Sequence, residues 1–361
     1  MDKIAEFSPG GIATGIGSLP FTDPDEAVGF VIRYFSRAPH WPQMPRRGSE
    51  EYFVFQFLQP LVDSGLLIVK GDSYFFDASR PDWPERLTDF YSICLAAESG
   101  DALALAKFLP PVRAARGFHA FLAHLEKMDF DNVLFVKGQI AGPLTVGLNL
   151  KDQEGRFSYY NDELRDVIVR TLALNSRSQA RALSQFGRQA VIFVDEPAVS
   201  AYGTRDHLTM TKEMIIEDIN AIFRAVFLEN ALTGVHACEA IDWSILLETH
   251  MQILSLDAYR FGQSLGYYLQ QVNDFLNRGG SVAWGIVPTL DDPFKETPDS
   301  LLDRLKGLLS QLVCCGPDID LVIRQSLITP ACGAGLLSVD WTQRIYGLAN
   351  AVSARIGEPK W

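Results

Sequence analysis

Two soft donors on one short stretch, and a third far downstream, are the residues best suited to chemistry in this chain. Gly234-Val235-His236-Ala237-Cys238 reads as an apolar strand ending in His-x-Cys. Residues two apart on an extended backbone send their side chains to the same face, so imidazole and thiol leave together. That pair suits zinc. Thr329-Pro330-Ala331-Cys332-Gly333-Ala334-Gly335 places another cysteine at a strand end, followed by glycines that allow close backbone approach. Leu254-Ser255-Leu256-Asp257 ends a further apolar run in a carboxylate. Such a group must be solvated, paired or metal-bound, because bare burial is costly. Each motif also has an ordinary packing explanation: a satisfied core histidine beside a buried cysteine, a small buried thiol in a turn, an Asp257–Arg260 ion pair.

Three or four protein ligands plus an exchangeable position form the catalytic pattern for zinc, and they need elements whose ends converge. Short apolar runs here alternate with longer amphipathic stretches, which is the βα pattern. Strands are predicted over residues 14–18, 66–70, 133–140, 191–195, 233–237, 253–257, 281–286 and 326–330. That is the number a (β/α)8 TIM barrel requires, although 66–70 could equally belong to a hairpin. Helices are predicted over 162–186, 212–228, 265–277 and 300–313. Asn277-Arg278-Gly279-Gly280 supplies a glycine stop before the next strand.

In such a barrel the strand C-terminal ends meet on one face. They would gather Ser18, Asp195, Glu196, His236, Cys238, Asp257 and Cys332. Residues 1–361 are read as a single α/β domain with two N-terminal insertions, 19–65 and 71–118. These could cover the loop face or form a packed cap remote from any substrate.

A chain of 361 residues suits one barrel with insertions, and it buries enough core to need no disulfides. The formal net charge of −12 argues against nucleic acid as a partner. No run of apolar residues is long enough to span a membrane. The N-terminus lacks the basic start and apolar run of a signal peptide, so a cytoplasmic protein is expected. In that compartment the five cysteines read as ligands, reactive thiols or core residues. Cys314-Cys315 and Cys94 are assigned to turn or core, and His40 to a loop. His119 and His124 are spaced unhelpfully for a metal, and residues 10–15 lack the dinucleotide pattern.

Four of these segments, in order, resemble the C-terminal catalytic barrel of cobalamin-independent methionine synthase. That family lies within the superfamily that also includes uroporphyrinogen decarboxylase and the corrinoid-linked methyltransferases. Gly15-Ile16-Gly17-Ser18-Leu19-Pro20 looks like its opening strand, and Val194-Asp195-Glu196-Pro197-Ala198 like its Asp-Glu-Pro-Ala segment. His236-Ala237-Cys238 is similar to its zinc pair, and Pro330-Ala331-Cys332-Gly333 to its final zinc cysteine. The resemblance covers roughly residues 11–340.

It implies zinc held by His236, Cys238, Asp257 and Cys332, with Asp257 one methylene shorter than the family's usual Glu. It implies homocysteine contacts from the opening-strand backbone and Ser18, and from Asp195 to the substrate ammonium. Two departures stand out. The chain has no room for the family's second, folate-binding barrel. The family also carries an acid histidine after its seventh strand, where Trp284-Gly285-Ile286-Val287-Pro288-Thr289 has Val287. Transfer from methyl-folate needs a protonated leaving nitrogen, whereas a methyl-corrinoid releases a stable Co(I) species. A methylated corrinoid protein is therefore the expected donor.

A thiol with a pKa near 8.5 is only a few per cent ionised at neutral pH. Zinc would ionise it outright, worth about 2 kcal/mol by population, part of it returned as lower nucleophilicity. The expected activity is thus methyl transfer to a thiol such as homocysteine. A porphyrinogen-type decarboxylase would leave the three soft donors unexplained. A non-catalytic barrel that binds zinc or a corrinoid partner would retain them without turnover.

Overall fold

The computed structural model describes residues 7–314 and 316–356. Its centre is a curled, seven-stranded parallel sheet. The strands are β1 (Ile12–Ala13), β4 (Phe135–Ala141), β5 (Gln189–Asp195), β6 (Leu232–Ala237), β7 (Ile253–Leu256), β8 (Ser281–Val287) and β9 (Ser326–Pro330). They pair in the order β1-β9-β8-β7-β6-β5-β4. The remaining strands, β2 (Leu67–Lys70) and β3 (Ser73–Phe76), form a separate antiparallel hairpin. Nearly every residue of the long parallel strands is buried, as expected of a sheet covered on both faces.

Helices supply the outer cover. Asp162–Ser184 packs on β4 and β5, and its Asn161 cap accepts the Glu163 and Leu164 amides. Lys212–Phe227 packs beside it and is capped by Thr211. Leu269–Asn277 and Pro298–Val313 begin a few residues away from their expected starts; a 3-10 stretch, Gly262–Tyr268, occupies the turn expected to open the former.

One expected strand lies elsewhere. Residues 67–70 pair with 73–76 and take no part in the parallel sheet. The edges of that sheet are instead spanned by residues from the first supposed insertion. Ser18 bridges Gln43, and His40 bridges Lys137 of β4, both in parallel sense. The Gln43 amide donates to the Gly17 carbonyl at 3.1 Å, and the Lys137 amide to Pro39 at 2.9 Å. Pro39, Pro42 and Pro45 each lack an amide hydrogen, so this segment cannot sustain a regular ladder and shows no strand periodicity. Gly17 permits the close approach: a Cβ there would lie 2.6 Å from Gln43 Oε1. The opening strand is correspondingly short, and Ser18 lies beyond it as a lone bridge.

The concave face is divided along its length. Ile12, Phe135, Val191, Phe193, Leu232, Ile253, Ala283 and Leu327 form an apolar cluster, mostly from the first residues of their strands. They seal the N-terminal end and leave the polar residues to the C-terminal end. The 19–65 region is also largely core: Trp41 and Met44 are fully buried, and Trp41 Nε1 donates to Gln179 Oε1 at 3.1 Å. Among the described residues, no helix is long and apolar enough to cross a membrane.

Candidate metal centre

The C-terminal ends of β6 and β9, separated in the sheet by β7 and β8, bring three donors to one point. His236 is the penultimate residue of β6, Cys238 follows that strand, and Cys332 follows β9. One potential ligand atom from each lies within 4.8 Å of the others. The His236 ring is oriented by Ser255 of β7, whose Oγ lies 3.0 Å from Nδ1. The opposite nitrogen, Nε2, is buried and has no hydrogen-bond partner. A partnerless buried nitrogen facing two thiols is the local chemistry of a metal ligand, and the hydrogen bond on its far side is the usual support for one. The neighbouring Cys238 thiol holds the Cys332 thiol well below its ordinary range, with the nearby His236 ring assisting.

Ser18 positions the loop that carries Cys332. Its carbonyl accepts the Ala334 amide at 2.9 Å, and its Oγ accepts the Gly335 amide at 3.2 Å. Asp257, the expected fourth ligand, stands just beyond β7 but outside the group of three. Its Oδ1 caps the short helix Ala258–Phe261 by accepting the Arg260 amide at 2.9 Å. Burial pushes its carboxyl up, opposed by that amide. The alternative ion pair with Arg260 does not form; Arg260 Nε pairs with Asp291 at 2.8 Å.

Asp195 ends β5 directly beside His236 in the sheet register. Its Oδ1 is buried without a partner. Below it lies a charge that the motif reading missed. Lys137 of β4 is fully buried, its Nζ 2.6 Å from the Ile16 carbonyl and 3.2 Å from Gln139 Oε1. It also sits 4.5 Å from the centre of the Phe193 ring. Burial pushes the Lys137 ammonium down and the Asp195 carboxyl up, and mutual attraction opposes both. The available signal was Lys137 and Gln139 alternating inside an apolar strand, a period-two pattern that sends both side chains to one face.

Other residues serve the scaffold. Glu196 is fully buried and accepts the Leu144 amide at 3.0 Å, the Thr145 amide at 2.7 Å and the Thr145 hydroxyl. Burial pushes it up to about 7 against those three donors. Val287 is buried at the end of β8, and its carbonyl accepts the Ala331 amide. His40 is no loop histidine: it is fully buried, with Nε2 2.9 Å from Tyr346 Oη. Cys94 is core and Cys314 ends a helix, while Cys315 lies outside the described residues. His119 and His124 contact Pro110 and Asp25 respectively. A surface groove of about 610 Å³ between Asp162–Ser184 and Lys212–Phe227 is remote from the strand ends, and its Arg165, Arg170 and Arg224 are paired with neighbouring acids.

No family model and no curated protein matches the chain. Solved structures do. A candidate vitamin-B12 independent methionine synthase from Listeria monocytogenes matches at 12% identity and TM-score 0.52, over 94% of this chain and 87% of that one. A B12-independent methionine synthase from Shewanella sp. W3-18-1, in complex with selenomethionine, matches at 17% identity and TM-score 0.45 over 65% of each chain. The chain thus covers slightly less than two thirds of the Shewanella protein. An endo-beta-1,4-mannanase double mutant from Cellulomonas fimi matches at 12% identity and TM-score 0.43, over 95% of this chain and 71% of that one. At these identities the Listeria likeness extends to the fold, an α/β architecture with TIM-barrel-like neighbours, and to nothing finer.

Proposed function

We propose that the chain is a zinc-dependent methyltransferase that moves a methyl group onto the sulfur of a small thiol, homocysteine being the acceptor implied by the family resemblance. In this reading residues 1–361 form one cytoplasmic (β/α)8 domain, with residues 39–43 as its irregular second stave. The observation that carries the proposal is the convergence of His236, Cys238 and Cys332 within 4.8 Å around a buried, partnerless imidazole nitrogen. Leaving such a nitrogen unmatched costs about 1–3 kcal/mol, and one imidazole with two thiolates suits zinc with a position left open. When bound, zinc would keep an acceptor thiol deprotonated at neutral pH while leaving its sulfur nucleophilic.

The chain's own residues have distinct tasks. Ser255 orients His236, and Ser18 holds the loop of Cys332 and lines the acceptor's approach. Asp195 offers its partnerless oxygen to the acceptor. Asp257, engaged through Oδ1, would reach a metal only through its other oxygen. The buried Val287 supplies no acid for a folate nitrogen, which favours a methylated corrinoid protein as donor. In the transfer the thiol proton goes to solvent and a sulfur–carbon bond forms. The carbon–cobalt bond breaks with its electron pair left on cobalt.

Elemental analysis of protein purified under reducing conditions tests the reading. The wild type should carry about one zinc per chain, and Cys238→Ser should lose most of it. A wild type without zinc would end the proposal. Steady transfer from methyl-folate, with none from methylcobalamin, would overturn the assignment of the donor.

A further inference from the structure

We infer that the acceptor thiol carries no ammonium group, because the chain supplies an ammonium of its own, from Lys137, to the place where the acceptor's would go. The inference rests on the zinc-dependent thiol methyltransferase reading and replaces homocysteine, the acceptor implied by the family resemblance, with a thiol that lacks its amine. The family resemblance brings an acceptor's ammonium to Asp195 and gives the opening-strand backbone a further contact to the acceptor. Here the opening-strand carbonyl of Ile16 already takes a hydrogen bond from Lys137 Nζ at 2.6 Å. Asp195 is attracted by that buried cation, which opposes the upward push of burial on its carboxyl.

Lys137 is not a surface side chain that can swing away. It is fully buried, held by Ile16 and Gln139, and seated over Phe193 at 4.5 Å. An incoming ammonium would place two buried cations against one carboxylate, an arrangement that low-dielectric interiors penalise. Asp195 Oδ1 does lack a partner, but a neutral donor satisfies it without adding charge. A second observation points to what the ligand carries instead. Gln43, beside Gly17 at the same mouth, has a buried Nε2 with no partner, an unused donor suited to an acid oxygen. The acceptor class is therefore a small thiol acid without an amine.

The test uses zinc-loaded protein and two probes that differ only in the amino group, L-homocysteine and 4-sulfanylbutanoate. Isothermal titration calorimetry without a methyl donor reads binding alone. The wild type should bind 4-sulfanylbutanoate at least tenfold more tightly. Lys137→Met, by freeing Ile16 and Asp195, should narrow or reverse that preference. Equal or tighter binding of homocysteine to the wild type overturns the inference and leaves the thiol methyltransferase reading standing. Binding of neither thiol by protein that holds zinc overturns the proposed function itself. Should Lys137→Met fail to fold, the wild-type comparison alone decides.

Discussion

Gly333 sits next to a candidate ligand and against Ser18, which makes it a sharp probe of how the Cys332 loop is held. A Cβ added at Gly333 would lie 2.2 Å from Ser18 Oγ, but 3.4 Å from Ser18 Cβ, an ordinary contact. In Gly333→Ala the hydroxyl must therefore turn away and release the Gly335 amide it now accepts at 3.2 Å. Losing that bond and leaving the amide unmatched costs about 1–2 kcal/mol, offset by about 0.5 kcal/mol from a stiffer unfolded chain. The net expectation is a loss of about 1 kcal/mol. In a Ser18→Ala background the obstructing oxygen is gone, so Gly333→Ala should be neutral or slightly stabilising. The assay is urea unfolding of both single variants and the double variant, with zinc retention measured on each. Coupling of about 1–1.5 kcal/mol is expected, and the double variant should retain as much zinc as Ser18→Ala alone, since both lack the hydroxyl that accepts the Gly335 amide. Equal costs of Gly333→Ala in both backgrounds, within the roughly 0.5 kcal/mol of simple additivity, would refute the role given to Ser18.

Two further predictions follow from buried polar groups. Ser255→Ala removes the partner of His236 Nδ1 and should weaken zinc binding about tenfold while leaving the fold intact, as read by competition with a chelator. Unchanged zinc affinity would count against His236 as an oriented ligand. The Glu196 carboxyl, raised from 4.5 to about 7, keeps its proton in the folded state at pH values where the unfolded chain releases it. Its contribution is complete below 4.5 and is lost as pH rises to about 7, at most about 3 kcal/mol. Unfolding midpoints from pH 4.5 to 7 should fall more steeply in the wild type than in Glu196→Gln, and parallel slopes would contradict this.

Much of the frame was legible locally. The apolar runs that became β4 to β9 were identifiable because a buried parallel strand must be almost wholly apolar, whatever lies beside it. The long helices were legible for the same kind of reason, in their apolar spacing and their caps. The segment between the sheet edges was not. Residues 39–43 carry three prolines with 45, and their place depends on single bridges to Ser18 and Lys137. The run at 67–70 looked more like a strand and is one, but its nearest partner is only a turn away, and the hairpin captured it.

The candidate site divides along the same line. Sequence alone determined that His236, Cys238 and Cys332 stand at strand ends, because strand length and side-chain alternation are local properties. It also determined that Val287 offers no acid. Only the tertiary structure decided that the three donors meet, that Ser255 orients one of them, and that Asp257 is already engaged by its own helix. It alone revealed Lys137, whose ammonium reaches a carbonyl 121 residues away. Contacts across such separations follow from how a whole sheet curls and which edges it brings together, and no local pattern encodes that closure.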